Sequence, residues 1–317
     1  MSRSPLHYLE AIIRTGSIAA ASKQLFLTQP SLSLYVKRLE EEYEIKIFDR
    51  GAQPWKLTPE GKYFIERQQK IDSIERERRK YFDDLKDLKT GDVVIGSTQY
   101  RSQTILAPIL SEFWKKYPGI KVQVKESTTK GLVGMVSRGE VDCAFIISSL
   151  VPKDELDSVH IYDEHVVCCT AEDHPLAIKD SELGPNLPPY RGINFSDCAR
   201  ERFIVMENGQ VFHDYFVSLC AKNRITDPNV VLETQSITTI PALIRSGIGI
   251  GLLPDTLLTE SNIKGIHVFS LNDELPVNRL SLAWSRKHYL SKAVKAFIKT
   301  SIEESRKTLP QSSVMYR

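Results

Sequence analysis

Three polar side chains recur at four-residue intervals near the N-terminus, and their chemistry suits the edges of DNA bases. Gln29, Ser33 and Lys37 occupy positions i, i+4 and i+8, which lie on one face of a helix. An amide, a hydroxyl and an ammonium group supply the hydrogen-bond donors and acceptors that distinguish base pairs in the major groove. Their spacing therefore indicates one helix face that could bind DNA.

The helix that must carry these residues is indicated by its start signals and by its opposite face. Thr28 is a natural N-cap, and Pro30 stands in the first turn, where its missing N–H does no harm. Leu32, Val36 and Leu39 form an apolar stripe at i, i+4 and i+7. A shorter helical pattern comes before it, with Ile18, Ala21 and Leu25. Two short helices joined tightly predict a helix-turn-helix whose second helix enters the major groove.

This stretch resembles the N-terminal domain of LysR-type transcriptional regulators. The positions that match the family pattern are Gly16-Ser17, Ala21, Leu25, Thr28-Gln29-Pro30, Ser33, Val36, Leu39-Glu40, Phe48, Arg50 and the LTPEG segment 57–61. The resemblance implies a winged helix-turn-helix domain, all-α apart from its wing, over residues 1–58. Glu44 stands where the family has glycine, and a positive φ there would strain a glutamate.

The resemblance gives the exposed residues expected roles on a double-stranded DNA operator. Gln29, Ser33 and Lys37 are expected to bind base edges, and Pro30 and Leu34 to make apolar contacts. The expected phosphate contacts are Thr28, Ser31, Arg50 and Lys56. The net charge is only +2, so affinity for phosphate has to come from placed cations.

Composition narrows the class of protein further. Cys143, Cys168, Cys169, Cys198 and Cys220 show no metal-ligand spacing and suit reduced thiols in a cytosol. The sequence has no signal-peptide pattern, no apolar run long enough for a membrane span, and no HExxH, GxSxG or P-loop motif. The run Glu40 to Glu42 is interpreted as a solvated helix end. We therefore predict a cytoplasmic protein without cofactor, metal or catalytic residues, which is not an enzyme.

A charged segment from Pro59 to about Lys89 carries an apolar seam. Its members at 3–4 spacing are Phe64, Ile71, Ile74, Tyr81, Leu85 and Leu88. The seam predicts one long helix, 59–89, that pairs with a copy of itself. The alternative is an amphipathic helix packed on its own domain. The resemblance implies a dimerising linker, a homotetramer, and RNA polymerase as a further candidate partner.

After residue 92, short β patterns alternate with helical ones, which favours an α/β domain with largely parallel sheets. A continuous strand is predicted over 159–170, with His165 as a core or interface residue. The segments 139–145, 174–176 and 247–254 resemble motifs of the LysR effector domain.

That resemblance implies a two-lobed, periplasmic-binding-protein-like fold of type 2 over residues 90–305. Lobe I is expected at about 93–166 and 270–305, and lobe II at about 167–269. The Pro- and Gly-rich segment 178–194 is expected to be a surface insertion, and residues 306–317 a flexible tail.

A ligand in such a fold lies between the lobes, at the carboxyl ends of strands where helices begin. Backbone N–H groups at helix starts favour anions. The expected ligand-binding residues are Ser97, Thr98, Gln99, Tyr100, Ser102, Gln103, Thr129, Asn208, Gly209, Gln210, Val211, Gln235, Ser236 and Ile237. We expect a small, anionic effector. Ordinary N-capping explains the same residue types, and Arg101 could pair with a carboxylate or face solvent.

Two other functions are alternatives to an effector sensor. The C-terminal domain could be only an oligomerisation scaffold in a constitutive DNA-binding regulator. A redox sensor of the same family would carry a reactive cysteine after the segment 207–210, but Val211 occupies that position and leaves Cys220 alone. Redox sensing is therefore disfavoured.

Overall fold

The computed structural model describes residues 4–85, 90–184, 190–275 and 278–308. The chain divides into two compact units, with the boundary after Phe82. Each unit encloses buried apolar clusters of its own.

The first unit consists of four helices and a two-stranded ribbon. Its elements are α1 (Pro5–Thr15), α2 (Ile18–Gln24), α3 (Gln29–Glu42), β1 (Phe48–Asp49), β2 (Lys56–Leu57) and α4 (Pro59–Asp84). The ribbon is antiparallel, with Phe48 opposite Leu57 and Asp49 opposite Lys56. The predicted winged helix-turn-helix is thus confirmed, and the ribbon forms its wing.

Helix α3 forms where its caps and apolar stripe predict it. The Thr28 hydroxyl accepts a hydrogen bond from the Ser31 N–H at 3.3 Å, which satisfies one donor of the first turn. Leu32 and Val36 are fully buried and Leu39 nearly so. Because these three side chains pack in the core of the unit, the opposite face of α3 is left to solvent.

Glu40 is buried, so the interpretation of the run from Glu40 to Glu42 as a solvated helix end was wrong at its first residue. Its side chain is 3% exposed and accepts hydrogen bonds from the N–H groups of Ile47 at 2.9 Å and Phe48 at 3.4 Å. These donors lie where the chain leaves α3 and enters the ribbon. A buried carboxylate here satisfies backbone groups that would otherwise be unpaired.

The end of α3 also shows why glycine suits position 44. Glu44 has φ 54°, in the left-handed region that glycine adopts without a Cβ penalty. The Ile45 N–H bonds back to the Glu40 carbonyl at 3.0 Å, which fixes this turn. Glutamate is therefore accommodated with backbone strain.

Helix α4 is long, as the sequence predicts, and within the described residues it extends to Asp84. Residues 86–89, including the last seam position Leu88, lie outside the described residues. Of the remaining seam, Phe64 packs in the core of the first unit, whereas Ile71, Ile74 and Tyr81 are more than half exposed.

The second unit has two lobes, each built on its own sheet. The elements of lobe I are β3 (Gly91–Ser97), α5 (Gln99–Arg101), α6 (Ala107–Lys116), β4 (Ile120–Glu126), α7 (Thr129–Ser137), β5 (Cys143–Ile147), a 3₁₀ turn (Ser148–Leu150), β6 (Leu156–Glu164), β13 (Asn278–Ser285) and α12 (Lys292–Thr308). A π-helical turn, Ser102–Leu106, joins α5 to α6 without a break. The strand order is β4-β3-β5-β13-β6. Because α12 reaches Thr308, residues 306–308 of the expected tail are helical, and the tail from 309 lies outside the described residues.

Lobe II is built on a six-stranded sheet in the order β10-β9-β11-β7-β12-β8. Its elements are β7 (Val166–Ala171), α8 (Pro175–Ser181), β8 (Gly192–Ile193), a 3₁₀ turn (Phe195–Cys198), β9 (Phe203–Met206), α9 (Val211–Lys222), β10 (Val230–Thr234), α10 (Ile240–Arg245), β11 (Ile250–Pro254), a 3₁₀ turn (Asp255–Leu257), α11 (Glu260–Ile263) and β12 (Ile266–Leu271). The two-lobed α/β fold is therefore confirmed.

Both sheets are largely parallel, as the sequence predicts, and each includes one reversed strand, β13 in lobe I and β7 in lobe II. In lobe I, β3 is parallel to β4 and β5, whereas β13 is antiparallel to β5 and β6. In lobe II, β9 is parallel to β10 and β11, whereas β7 is antiparallel to β11 and β12. The reversed strands, β7 and β13, are each the first strand after the chain crosses between the lobes.

The chain crosses from lobe I to lobe II at a single residue, His165. The predicted continuous strand 159–170 is thus two strands, β6 and β7, which belong to different sheets. The apolar pattern continues through the crossing because both strands are largely buried. The chain returns between Leu271 and Asn278.

The segment 178–194 is not simply a surface insertion. Its first residues complete α8, and its last form β8, which pairs with β12 at the sheet edge. Asp180 accepts from Arg191 and contacts His267 Nε2 at 2.8 Å. These bonds attach both ends of the segment to lobe II, and residues 185–189 lie outside the described residues.

Candidate DNA-binding surface and effector cavity

The polar face of α3 is accessible, as DNA recognition requires. Gln29 and Lys37 are exposed, and Ser33 lies between them partly buried. Lys37 Nζ lies 3.5 Å from Glu41 Oε1, with both side chains more than 60% exposed. An ion pair this exposed contributes little to stability, so the ammonium can move to another anion at small cost.

Apolar side chains flank this face. Pro30 is exposed and Leu34 is 48% exposed. Phe26, two residues before the N-cap of α3, is 96% exposed and has φ 55°. Sequence reasoning left Phe26 in the connection without a role. Its exposure could have been expected from the sequence, because this aromatic residue stands at a turn position outside the apolar periodicity of both helices.

The residues expected to contact phosphate differ in how firmly they are held. The Thr28 and Ser31 hydroxyls bond to each other at 2.7 Å at the start of α3, and Lys56 is exposed on the ribbon. Arg50 Nη2 donates to Glu40 Oε2 at 2.7 Å, and its guanidinium lies 5.5 Å from the Trp55 ring centroid. The Arg50 side chain is still 42% exposed, so it is an oriented cation at the wing.

A cavity of about 290 Å³ lies between the two lobes. It is at the carboxyl ends of parallel strands: β3, β4 and β5 of lobe I end beside it, and so do β9 and β10 of lobe II. This is the edge at which α/β sheets bind ligands. The volume suits a small organic molecule.

The structure brings nine of the fourteen predicted ligand-binding residues to this cavity. They are Thr98, Gln99, Tyr100, Thr129, Gly209, Gln210, Val211, Gln235 and Ile237.

The other five predicted residues are placed elsewhere. Ser97 is fully buried in the strand, and its hydroxyl donates to the Thr98 carbonyl. Ser102 donates to that same carbonyl at 3.1 Å. Gln103, Asn208 and Ser236 lie outside the cavity lining, the first two of them exposed. The sequence identified the segments that reach the cavity, but it did not show which side chains of each turn face the cavity.

Several lining residues were missed or left undecided by sequence reasoning. They are Arg101, Glu126, Ser127, Thr128, Lys130, Ile147, Met206 and Phe212. Ile147 and Met206 are terminal residues of buried strands, which periodicity assigns to the core. Lys130 Nζ lies 3.7 Å from Asp214 Oδ2 across the cleft, with both side chains over half exposed.

Three helical runs begin at the cavity, and two of them begin without a side-chain cap. Thr128 caps α7 by accepting from the Gly131 N–H at 3.2 Å. In contrast, among the residues described, Thr98 before α5 and Gln210 before α9 make no side-chain cap bond. Uncapped N–H groups and the helix dipole favour an anion at these starts.

Behind the cavity lies a buried ion pair. Arg101 is 1% exposed and Glu164 is fully buried. Arg101 Nη2 donates to Glu164 Oε2 at 3.0 Å, and the Tyr100 hydroxyl donates to the same carboxylate at 3.0 Å. Thr256 Oγ1, from lobe II, donates to Glu164 Oε1 at 2.7 Å. Arg101 thus faces a carboxylate rather than solvent, and Glu164 binds residues of both lobes.

The electrostatics of this cluster fix its protonation. Burial raises the pKa of the Tyr100 phenol well above its usual range, although Arg101 opposes the shift. Burial lowers the pKa of Arg101, but Tyr100 and Glu164 outweigh that effect and raise it overall. Tyr100 is therefore a neutral hydrogen-bond donor, and Arg101 a permanent cation.

Three buried donors of this wall have no partner within the part of the chain that the structure describes. They are Arg101 Nε, Arg101 Nη1 and Thr98 Oγ1. Both residues line the cavity. Buried polar groups are nearly always paired, so each exception calls for an explanation.

The single-residue crossing is held by a second cluster. Asp255 accepts from the His165 N–H at 3.1 Å, and its other oxygen lies 3.2 Å from His165 Nδ1. The Tyr162 hydroxyl donates to Asp255 at 3.3 Å, and burial raises the pKa of that phenol. His165 therefore forms the connection between the lobes and is bound to Asp255 of lobe II. Of the two expected roles, core or interface residue, the structure supports the interface.

Two family matches cover nearly the whole chain. Residues 4–62 match the bacterial regulatory helix-turn-helix proteins of the lysR family, and residues 86–306 match the LysR substrate binding domain. The chain belongs to the LysR family of DNA-binding transcriptional regulators.

Individual relatives agree with this assignment. The HTH-type transcriptional regulator YybE of Bacillus subtilis is 26% identical over 298 residues, which cover 94% of this chain and 97% of that protein. A probable RuBisCO transcriptional regulator of a Nostoc species is 25% identical over 312 residues, covering 96% and 87%.

Among solved structures, the LysR family regulator CbnR is similar with a TM-score of 0.65 and 16% identity, covering 97% of this chain and 100% of that one. The effector binding domain of QuiR in complex with shikimate gives a TM-score of 0.57 and 20% identity, covering 69% and 99%. These similarities show the fold.

The described residues lack two features. None of their helices is long and apolar enough to cross a membrane, and no group of three or more potential ligands could hold a metal ion.

Proposed function

We propose that this regulator binds a small anionic metabolite in the cavity between its lobes and changes its action on DNA in response. The observation that supports this most strongly is the convergence of three helix starts on one cavity, two of them uncapped. Such starts offer N–H donors and positive potential to an anion. The similar domain of QuiR binds shikimate, a hydroxylated carboxylate of this class.

DNA is read by α3 and held by its surroundings in this proposal. Gln29, Ser33 and Lys37 bind base edges, with Pro30 and Leu34 in apolar contact, because these residues form the accessible face of the helix. The phosphate contacts are Thr28, Ser31, Arg50 and Lys56. Glu40 orients Arg50. Because a phosphate contact carries no sequence information, the contribution of Arg50 does not depend on base sequence.

Pairing of two chains would occur through α4. Ile71, Ile74 and Tyr81 leave apolar surface exposed along this helix, which a second copy can cover at heptad-like spacing. Two helix-turn-helix domains then read two half-sites. The same proposal includes assembly of the regulator into a homotetramer and a contact between the regulator and RNA polymerase.

The mechanism is a shift between arrangements of the two lobes. A ligand shifts such an equilibrium only by its difference in affinity for the two states. The cavity is lined from both lobes, and one residue, His165, forms the outgoing connection. Occupancy therefore favours one lobe arrangement, which changes the spacing of DNA-binding domains in the oligomer.

A metabolite screen by thermal unfolding of the full chain tests the proposal. A compound at a hundred times its Kd should raise the melting temperature by several degrees. Thr98→Val keeps the shape of the cavity wall but removes a lining hydroxyl, so it should reduce the shift, whereas Ser102→Ala, outside the lining, should retain it. A flat response across carboxylates, amino acids and inorganic anions would favour the oligomerisation scaffold instead.

A further inference from the structure

The unpaired donors of Arg101 narrow the ligand class of the proposed effector cavity, on which this inference rests. We propose that Arg101 is the recognition residue for a small organic monocarboxylate and that Glu164 shares this guanidinium with the ligand. The carboxylate accepts from Arg101 donors that the protein leaves unpaired, while Glu164 keeps its bond to Nη2.

The first argument is the hydrogen-bond inventory of the buried guanidinium. Arg101 is 1% exposed and lines the cavity. Its Nη2 is bound to Glu164, whereas Nε and Nη1 have no partner among the described residues. A guanidinium offers five N–H donors and no acceptor, so only acceptors can satisfy it. Thr98 Oγ1, also buried and unpaired in the described structure, adds a donor on the same wall.

The second argument is charge. The bond to Glu164 already offsets much of the Arg101 charge, and Lys130 is paired across the cleft with Asp214. Glu126 adds a further, exposed carboxylate to the lining. A dianion would add a second uncompensated negative charge to a largely buried site, which is costly. A single carboxylate, supported by two uncapped helix starts, matches the potential that remains.

The third argument is the rest of the lining. Ile147, Met206 and Phe212 face the same cavity, and they offer no hydrogen bond beyond the weak acceptor of a thioether. They suit a carbon body attached to the carboxylate. The volume of about 290 Å³ accommodates a small ring or a short branched chain.

Glu164 connects this recognition to the crossing between the lobes. It is the last residue of β6, directly before the crossing at His165, and it binds Tyr100 and Arg101 of lobe I and Thr256 of lobe II. A carboxylate on Arg101 competes electrostatically with Glu164 for one cation. Ligand binding therefore changes the strength of a contact that joins the lobes, which makes Glu164 a positioning residue.

Full-length protein and simple probes test the inference without a known effector. Thermal unfolding is followed with sodium benzoate and sodium acetate against sodium chloride at equal ionic strength, and with benzamide as the neutral match for benzoate. Carboxylates should raise the melting temperature of the wild type by about 3 °C at ten times their Kd, and benzamide should not. Arg101→Met should abolish the rise.

A matched control separates recognition from the loss of an ion-paired arginine. Arg191 is paired with Asp180 in lobe II and lies outside the cavity lining. Arg191→Met should therefore lower stability yet keep the carboxylate response. A response that survives Arg101→Met as well would overturn the inference.

Glu164→Gln supplies a test that does not depend on the folding of Arg101→Met. The amide keeps the shape and removes the competing charge, so carboxylate affinity should rise roughly tenfold or more. The loss of stability caused by the uncompensated arginine should also be reversed by benzoate. Unchanged or weaker affinity would contradict the shared-cation arrangement.

The two proposals can fail separately. Binding of a neutral metabolite that is sensitive to Thr98→Val but not to Arg101→Met would leave the cavity as an effector site and overturn the role of Arg101. No carboxylate response in either the wild type or Glu164→Gln would overturn it as well, whatever the metabolite screen finds.

Discussion

The accessible face of α3 and the cavity between the lobes hold their polar groups in opposite ways. On α3, Gln29 and Lys37 are exposed, and the ion pair of Lys37 with Glu41 is weak. In the cavity wall, Arg101 is buried and donates directly to Glu164. Tyr100 and Thr256 donate to the same carboxylate and so fix Arg101 through it. DNA recognition tolerates side chains that settle on contact, whereas selection of a small ligand needs groups that are already in position.

The largest effect is expected at Glu40. This buried carboxylate is an exception to the contrast, because it is a fixed polar group in the DNA-binding unit. Glu40→Ala leaves the N–H groups of Ile47 and Phe48 without their acceptor and releases Arg50. The free energy of unfolding should fall by about 3–5 kcal/mol, measured by denaturant titration. Its exposed neighbour provides the control, since Glu41→Ala should change stability by less than about 0.5 kcal/mol. Equal effects would mean that Glu40 is not structural.

In lobe II, Asp180 offers a buried carboxylate outside the cavity. Its bond to Arg191, reinforced by His267, holds the pKa of Asp180 below its ordinary value. The ionised form therefore stabilises the fold at neutral pH, and this contribution is lost as the pH falls below about 3.9 and through the folded-state pKa. Asp180→Asn should cost about 1.5–3 kcal/mol at pH 7 and much less in acid. A difference that does not shrink with falling pH would rule out this origin.

On the DNA side, base readout and phosphate contact should separate by mutation. Gln29→Ala should lose about 1–3 kcal/mol of preference for the best duplex over a scrambled one, because the amide reads a base edge. Arg50→Ala should weaken both duplexes alike and reduce the salt dependence of binding. Competitive binding to the two duplexes at several salt concentrations measures both effects. If the two variants behaved identically, the proposed division of roles would fail.

The smallest effect concerns the strained turn after α3. Glu44→Gly should be neutral or raise the free energy of unfolding by up to about 1 kcal/mol, because glycine adopts the observed φ of 54° without a Cβ penalty. Arg38→Gly, at an exposed position inside the helix, should instead cost about 1 kcal/mol. Thermal unfolding of the two variants side by side checks the sign, and a destabilising Glu44→Gly would contradict the strain.

These two regions also differ in how far the sequence predicts them. Helix α3 could be predicted because its cap, stripe and polar face are all encoded within its own residues. Glu40 could not, since its burial depends on N–H groups seven and eight residues later in the ribbon turn. Residue type identified the segments that reach the cavity, but it did not show which of their side chains face the cavity.

The ion pair behind the cavity shows the limit most clearly. Arg101 and Glu164 are separated by 63 positions, and Glu164 lies within an apolar-patterned run that indicates one continuous strand. The break at His165 is set by which sheet each half joins. Only the packing of both lobes brings the guanidinium, the carboxylate and Thr256 together.

The central claim, that cavity occupancy changes the action on DNA, is tested most directly by one binding measurement. A preferred duplex is selected from random DNA with the full-length protein, and its Kd and footprint are measured with and without a saturating carboxylate from the unfolding screen. We expect the carboxylate to change Kd at least about fivefold or to move the footprint in the wild type, and to do neither in Arg101→Met. An identical Kd and footprint with the cavity saturated would contradict the claim.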